Sequence, residues 1–500
     1  MKLFRSPYFI LVFTFIFFSL GSFYIAFYPP DEPKYVDAAL RMIEHSNYII
    51  PFFNCHIRFD KPILYYLELV IPFKLFGVDY MLKTGHDPFG IIEYAAKIPS
   101  IISGSLEALY IYMISIYLFN DKKAAANSVI AYLSIGFFIY LTRAVYPDMS
   151  LIFFETAGIY YFLREKYIIG WVFIALAFLT KGPVGIVSVG FTYLLYLWIV
   201  KKSSGLNEFL SLPNILGIMV FLLISSPWYI EMYRLYRALF FKKFFLYHNI
   251  ERFTGKAHQH PHSIFYYIPI TLIVTYLWWP YLKELYTNIN FKNPIDKFLL
   301  LWSGWILLFF SISANKLPHY IAPAFIPIAI IAGKYSDKLH TKKAGLLFFI
   351  IELTIAAGLS IYCYQQHLYK LIPVISTGFL ILSLINLKKE IPVKIIFIKT
   401  IILTLTLITV LYIFESYRIT KKVWITYTQT HIPIAFYRLN DQSIIAYTRQ
   451  CIKEFKNPSK LPENYLILTK KKYLKTLPFK FKLILTGREK GKKLALIKKI

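Results

Sequence analysis

Residues 8–28 read YFILVFTFIFFSLGSFYIAFY, preceded by Met1-Lys2-Leu3-Phe4-Arg5 and followed by Pro29-Pro30-Asp31-Glu32. A bilayer span needs about 20 apolar residues, and this block supplies them without a charge. It is longer than a signal-peptide core, and no small-residue cleavage site follows. It therefore reads as a retained first membrane helix.

Comparable blocks begin near Ile98, Ala125, Met149, Tyr167, Val184, Pro213, Ile264, Phe298, Pro318, Leu346, Lys370 and Val393. The length rule makes them roughly thirteen spans in all. Composition agrees: 57% of the residues are hydrophobic and only 17% charged, against about a quarter charged in soluble chains. The expected fold class is an α-helical polytopic membrane protein.

The formal charge is +29, from 56 Lys and Arg against 27 Asp and Glu. In a soluble protein that excess would suggest nucleic acid. Here the cations gather at the ends of apolar blocks, where they orient spans and meet anionic lipid. With the N-terminus in the cytoplasm, Lys122-Lys123, Arg164 with Lys166, Lys201-Lys202, Lys342-Lys343 and Lys388-Lys389 all fall in short cytoplasmic loops. An odd number of spans then places the tail outside. The expected division is a membrane domain over 1–416, including an outer loop over 29–97, and a small α/β domain over 417–500. In that tail, Tyr465-Leu466-Ile467-Leu468 and Phe481-Lys482-Leu483-Ile484-Leu485 alternate like strands. The stretch from Tyr35 to Ile50 reads as an amphipathic helix on the membrane surface. Cys55 and Cys451 could pair in an oxidising compartment, and a free thiol fits equally.

The residues suited to chemistry fall on the expected outer face. Asp31 and Glu32 form either an interfacial flank or cap, or a carboxylate at the lip of a partly dry cavity. Their spacing does not choose. In Arg58-Phe59-Asp60-Lys61-Pro62, the proline suits a first helical turn, which puts Lys61 at a helix start. A cation beside free helix N–H groups suits a phosphate; a snorkelling lysine is the alternative. Ala257-His258-Gln259-His260-Pro261-His262 carries alternating histidines, which with a carboxylate suit zinc or decorate a surface loop. No phosphate-binding Gly-rich loop or H-E-x-x-H motif occurs.

Five motifs then occur in order: Tyr28-Pro29-Pro30-Asp31-Glu32-Pro33-Lys34-Tyr35, Phe59-Asp60-Lys61-Pro62, Tyr146-Pro147-Asp148, Leu179-Thr180-Lys181-Gly182-Pro183 and Lys316-Leu317-Pro318-His319-Tyr320. Together they resemble the aminoarabinose transferases of lipid A, within the protein mannosyltransferase-like GT-C glycosyltransferases. The resemblance implies transfer of a sugar from undecaprenyl or another polyprenyl phosphate to lipid A, with inversion, at the periplasmic face of a bacterial inner membrane. It implies Asp31 as the main catalytic carboxylate and Asp148 as a second acid. Lys61 and Tyr320 would hold the donor phosphate, with Lys34 and Tyr35 close by. Asp60 and His260 match positions that can bind a zinc ion, so a divalent metal is an expected optional cofactor. His260 is preferred to His258 because it lies seven residues before Tyr267. Expected partners are the lipid-linked donor, lipid A and membrane lipid, without nucleic acid.

Departures from the family pattern are Arg58, where a tyrosine is common, Asp60 for a glutamate, and about a dozen extra residues around Met81 to Ile92. Each is expected near the donor or acceptor path, and a uronic acid would suit an extra arginine. A protein acceptor, as in protein O-mannosyltransferases, and a multi-pass lipid flippase are the competing readings. A flippase would keep its ionisable residues near mid-bilayer, whereas these acids lie at expected outer helix ends.

Overall fold

The structure is a computed structural model that describes residues 2–202, 205–255, 261–341, 345–387, 391–392 and 394–500. The first helix is Pro7–Ser19, shorter than the expected 8–28. Arg143 explains the stop: its Nη2 and Nε donate to the carbonyls of Phe17 and Leu20, at 2.5 and 2.8 Å. These are carbonyls that a continuing helix would have bonded itself. Gly21 follows at φ +76°, a left-handed turn where a β-carbon would sit 2.5 Å from Ile408. The chain then crosses residues 22–28 without regular structure, and Lys97 Nζ donates to Ser22 and Ile25 carbonyls at 3.2 and 3.4 Å.

Among the described residues, six helices are long and apolar enough to cross a membrane: Ile91–Phe119, Val184–Lys201, Leu212–Thr254, Pro294–Ile312, Gly345–Gln365 and Ile395–Glu415. Four apolar helices of 10–17 residues, among them Pro7–Ser19 and Tyr167–Lys181, lie in other blocks expected to span. One apolar core joins the first helix, Ile91–Phe119, Lys122–Leu133, Asp148–Leu163 and Phe325–Tyr335.

The loop after the first helix folds into helices Glu32–Glu44, Leu64–Leu75 and Val78–Thr84. The first of these opens at Glu32, with Pro33 in its first turn, three residues earlier than expected, and it ends at Glu44 rather than near Ile50. It does not lie open on a membrane surface. Its polar face is covered too, with Asp37 fully buried and paired to Arg41 at 2.9 Å. The cover is the tail, whose Gln442–Thr448 helix packs on one side while Leu64–Leu75 packs on another. Amphipathic periodicity marks a helix with two unlike faces but cannot say what each face meets.

The tail is α/β as expected. Its five-stranded sheet has the order Glu454–Phe455, Ile434–Tyr437, Leu466–Lys470, Lys492–Lys499, Phe481–Glu489. The first three strands pair in parallel and the last two antiparallel. Cys55 and Cys451 form a disulfide that ties the loop after the first helix to this unit. Beside it, Asn54 and Ile452 exchange two hydrogen bonds, of 2.8 and 3.1 Å. Arg418 is 3% exposed and reaches across to the Phe27 carbonyl at 2.9 Å while holding Glu489 at 2.8 Å. The extra residues also serve this junction. Trp424 Nε1 donates to the Leu82 carbonyl at 3.0 Å, and Arg449 pairs with Asp79. None of 81–92 lines the polar cavity of the candidate site.

Candidate active site

Polar side chains from six separate stretches converge on one cavity of about 510 Å³. Its lining includes Asp31, Lys34, Tyr35, Asp60, Lys61, Asp148 and Tyr320, so every described candidate from the motifs meets there. His260 lies outside the described residues.

The acid pair after the first helix divides its roles. Glu32 is 5% exposed, and its two oxygens accept from the backbone N–H groups of Tyr28 and Val145, at 2.6 and 3.0 Å. It staples the loop to the turn that carries Asp148. Asp31 occupies the N-cap position of Glu32–Glu44, yet its side chain makes no capping bond. Its carboxylate instead faces the cavity, 40% exposed, with Lys34 Nζ 3.3 Å away. The cap reading therefore falls for Asp31, and the flank reading becomes a structural staple for Glu32.

Asp148 is committed differently. It opens the Asp148–Leu163 helix and takes Lys181 Nζ at 2.6 Å, with His319 Nε2 at 3.6 Å. His319 stacks on Tyr146, and Lys181 Nζ lies 4.7 Å from the Tyr320 ring centre. Lys181 is the last residue of Tyr167–Lys181; Gly182 at φ +79° and Pro183 end that helix, presenting the ammonium to the cavity. Its place in Leu-Thr-Lys-Gly-Pro was the available signal for a role that went unassigned.

Lys61 does not begin a helix, as Pro62 suggested. The helix starts at Leu64, and Lys61 sits in the bend before it. Burial, then the nearby Arg252 and Lys181 cations, pushes its ammonium down to about 7, with Asp60 and Asp148 pulling the other way. Burial would raise the Asp60 carboxyl, but Arg58 and His248 outweigh it and hold the group well below the usual carboxylate range. Arg58 Nε lies 3.2 Å from Asp60 Oδ2, and His248 Nε2 lies 3.0 Å from Oδ1. His248 was missed because it sits in an ordinary aromatic run, Phe241–Glu251, which the fold winds as a π-helix. Tyr35 is 4% exposed and lies beneath the Arg58 guanidinium, 4.4 Å from its ring centre, so it supports that arginine. Lys316 is spent on carbonyls, those of Ser313 and His262.

The expected zinc pair, Asp60 with His260, lies partly outside the described residues. Among the described residues no group of three or more His, Cys, Asp or Glu side chains could hold a metal ion. Asp60 and His248 would supply two donors, and the guanidinium beside Asp60 opposes a second cation there. No step below is routed through a metal.

An apolar groove of about 430 Å³ adjoins the cavity, walled by Val184, Val187, Phe245, Phe253, Phe309 and Phe310. Lys61, Lys181, Arg252 and Tyr320 line both spaces. The cations therefore stand where a hydrocarbon-lined trough opens into a polar chamber.

Residues 74–230 match the family described as Dolichyl-phosphate-mannose-protein mannosyltransferase. An uncharacterized protein of Aquifex aeolicus is 29% identical over 97% of both chains. The undecaprenyl phosphate-alpha-4-amino-4-deoxy-L-arabinose arabinosyl transferase of Wigglesworthia glossinidia brevipalpis is 26% identical over 72% of this chain, and the match spans 64% of that relative. In architecture the chain is similar to ArnT from Cupriavidus metallidurans bound to undecaprenyl phosphate, with a TM-score of 0.76 at 18% identity, covering 98% of this chain and 97% of that one. In fold and in sequence the chain is similar to membrane glycosyltransferases of the GT-C type. Within that class, the chain is similar to the lipid A aminoarabinose transferases, as its motifs imply.

Proposed function

We propose that this protein transfers a sugar, 4-amino-4-deoxy-L-arabinose or a related one, from polyprenyl phosphate to lipid A at the periplasmic face of the inner membrane. One observation carries the reading: Lys61, Lys181, Arg252 and Tyr320 stand at the junction of the apolar groove and the polar cavity that holds Asp31. A lipid phosphate needs that junction, with its chain in the groove, its phosphate among the cations and its sugar in the polar chamber.

The chemistry follows from the parts. The bond between the sugar's anomeric carbon and the phosphate oxygen breaks, and its electron pair stays on the phosphate. Cations already in place stabilise that growing charge without reorganising. An acceptor hydroxyl attacks from the opposite face, inverting the carbon, and Asp31 takes its proton. An acceptor phosphate arrives ionised, and Asp31 then orients it. Asp148, engaged by Lys181, holds that cation toward the donor rather than moving protons.

The Cys55–Cys451 disulfide supports an oxidising, outer location for the loop and the tail. The basic cytoplasmic flanks support the same orientation, with thirteen spans and a periplasmic domain over 417–500. The test is transfer by the purified protein, in lipid, from a synthetic polyprenyl-phosphate sugar to lipid A, read by mass spectrometry. A D31N variant that inserts normally and transfers unchanged would sink the reading.

A further inference from the structure

The cations of the cavity divide between its groove end and its polar end, where Lys34 pairs with Asp31 and Lys316 is bonded to carbonyls. Lys61, Lys181 and Arg252 share the mouth of the apolar groove. Arg58 lines the polar cavity but not the groove. Arg58 and Asp31 both line the polar cavity and neither lines the groove, so Arg58 shares the chamber in which the sugar lies once its phosphate is with Lys61.

Arg58 is held firmly and used incompletely. It is 6% exposed, with its guanidinium carbon 4.4 Å from the Tyr35 ring centre and Nε given to Asp60. That carboxylate is shared, because its other oxygen meets His248. Nη1 is buried without a hydrogen-bond partner among the described residues. Buried N–H groups of a charged side chain are rarely left so, and a guanidinium edge matches a carboxylate in two parallel bonds. A sugar amine, charged at neutral pH, would meet a like charge here.

We infer that the transferred sugar carries a carboxylate, as a uronic acid does, and that Arg58 receives it and sets the specificity. The inference rests on the proposed transfer from polyprenyl phosphate and, between the sugars that reading leaves open, selects a carboxylated one over the aminopentose. An acceptor phosphate is the other oxyanion that Arg58 could meet, and the experiment separates the two.

The purified protein is given one lipid A acceptor and three donors on the same polyprenyl phosphate: a hexuronic acid, the matching neutral hexose, and a 4-aminopentose. We expect kcat/KM for the uronate to exceed the other two by tenfold or more. R58Q should lower uronate transfer at least tenfold more than it lowers neutral-hexose transfer, while R58K keeps part of the preference. Melting curves identify an R58Q protein that has simply unfolded, and the wild-type donor preference needs no variant. Equal or better use of the aminopentose by the wild type overturns the inference. So does an equal loss on all donors in a folded R58Q, which would assign Arg58 to the acceptor phosphate or to holding Asp60. No transfer from any donor would instead defeat the underlying reading.

Discussion

Lys181 Nζ lies 2.6 Å from Asp148 Oδ1, both side chains no more than about a tenth exposed, at 11% and 7%. The two arrive from different helices, one at the end of Tyr167–Lys181 and the other at the start of Asp148–Leu163. Their pairing leaves Asp31 as the more open carboxylate and so separates three acids that look alike in sequence.

This separation gives different outcomes for two conservative changes. Asp31→Asn should reduce transfer by about 10²–10⁴-fold, the usual contribution of a general base, with melting temperature nearly unchanged. Steady-state rates and a thermal melt on the same preparation check it.

Asp148→Asn should damage the fold as well as the rate, because it leaves Lys181 charged and unpaired. Breaking one side of a buried pair costs about 3–5 kcal/mol. The double variant Asp148→Asn with Lys181→Met should melt above Asp148→Asn alone. Additive losses in that cycle would show that the pair does not act as one unit.

Lys61 predicts a pH dependence of donor binding. With its ammonium near 7 in the empty site, it is charged below that pH and mostly neutral above it. A bound phosphate favours the charged form, so binding takes up a proton as pH rises past 7. Donor affinity should then fall by up to about tenfold per pH unit, the limit for one proton. Stability of the empty protein runs the other way. The unfolded lysine keeps its proton to about 10.4, so the fold gains between about 7 and 10.4. Calorimetry in two buffers of different ionisation heat measures the uptake, and K61R should flatten the affinity profile.

The disulfide predicts a structural rather than a chemical effect. C55S with C451S should loosen the first outer loop from the tail, with a loss of about 2–5 kcal/mol typical of native disulfides. Faster proteolysis between the loop and the tail is the expected sign. In C55S alone, Cys451 should react in intact spheroplasts with a membrane-impermeant maleimide. Labelling only after permeabilisation would reverse the proposed orientation.

Arg418→Met tests the junction from the other side. It leaves Glu489 without its buried partner and frees the Ala26 and Phe27 carbonyls. We expect a loss of about 3–5 kcal/mol, with KM rising more than kcat falls, because Arg418 does not line the cavity. A selective loss of kcat would place the tail in the chemistry.

Much was legible from the chain alone. Long apolar blocks mark the helices because a bilayer demands about 20 residues of apolar side chain whatever the fold. The order of motifs named the cavity residues, and Asp31, Lys61, Asp60, Asp148 and Tyr320 do converge. Helix ends were less legible: the first helix stops at Ser19, under a cap supplied by Arg143 more than a hundred residues away. Strand alternation identified the α/β tail, but nothing local told that it covers Glu32–Glu44.

The amino-acid order by itself determined a membrane-spanning helical protein and the set of groups able to handle a sugar phosphate. Only the tertiary structure decided which acid is open, which is stapled and which is paired. It also put His248 against Asp60 and left Arg58 with an unused N–H. The reason is physical: residue type sets what a group can bind, while its state depends on neighbours brought within about 4 Å by packing between distant segments. Asp31, Glu32 and Asp148 differ chiefly in those neighbours.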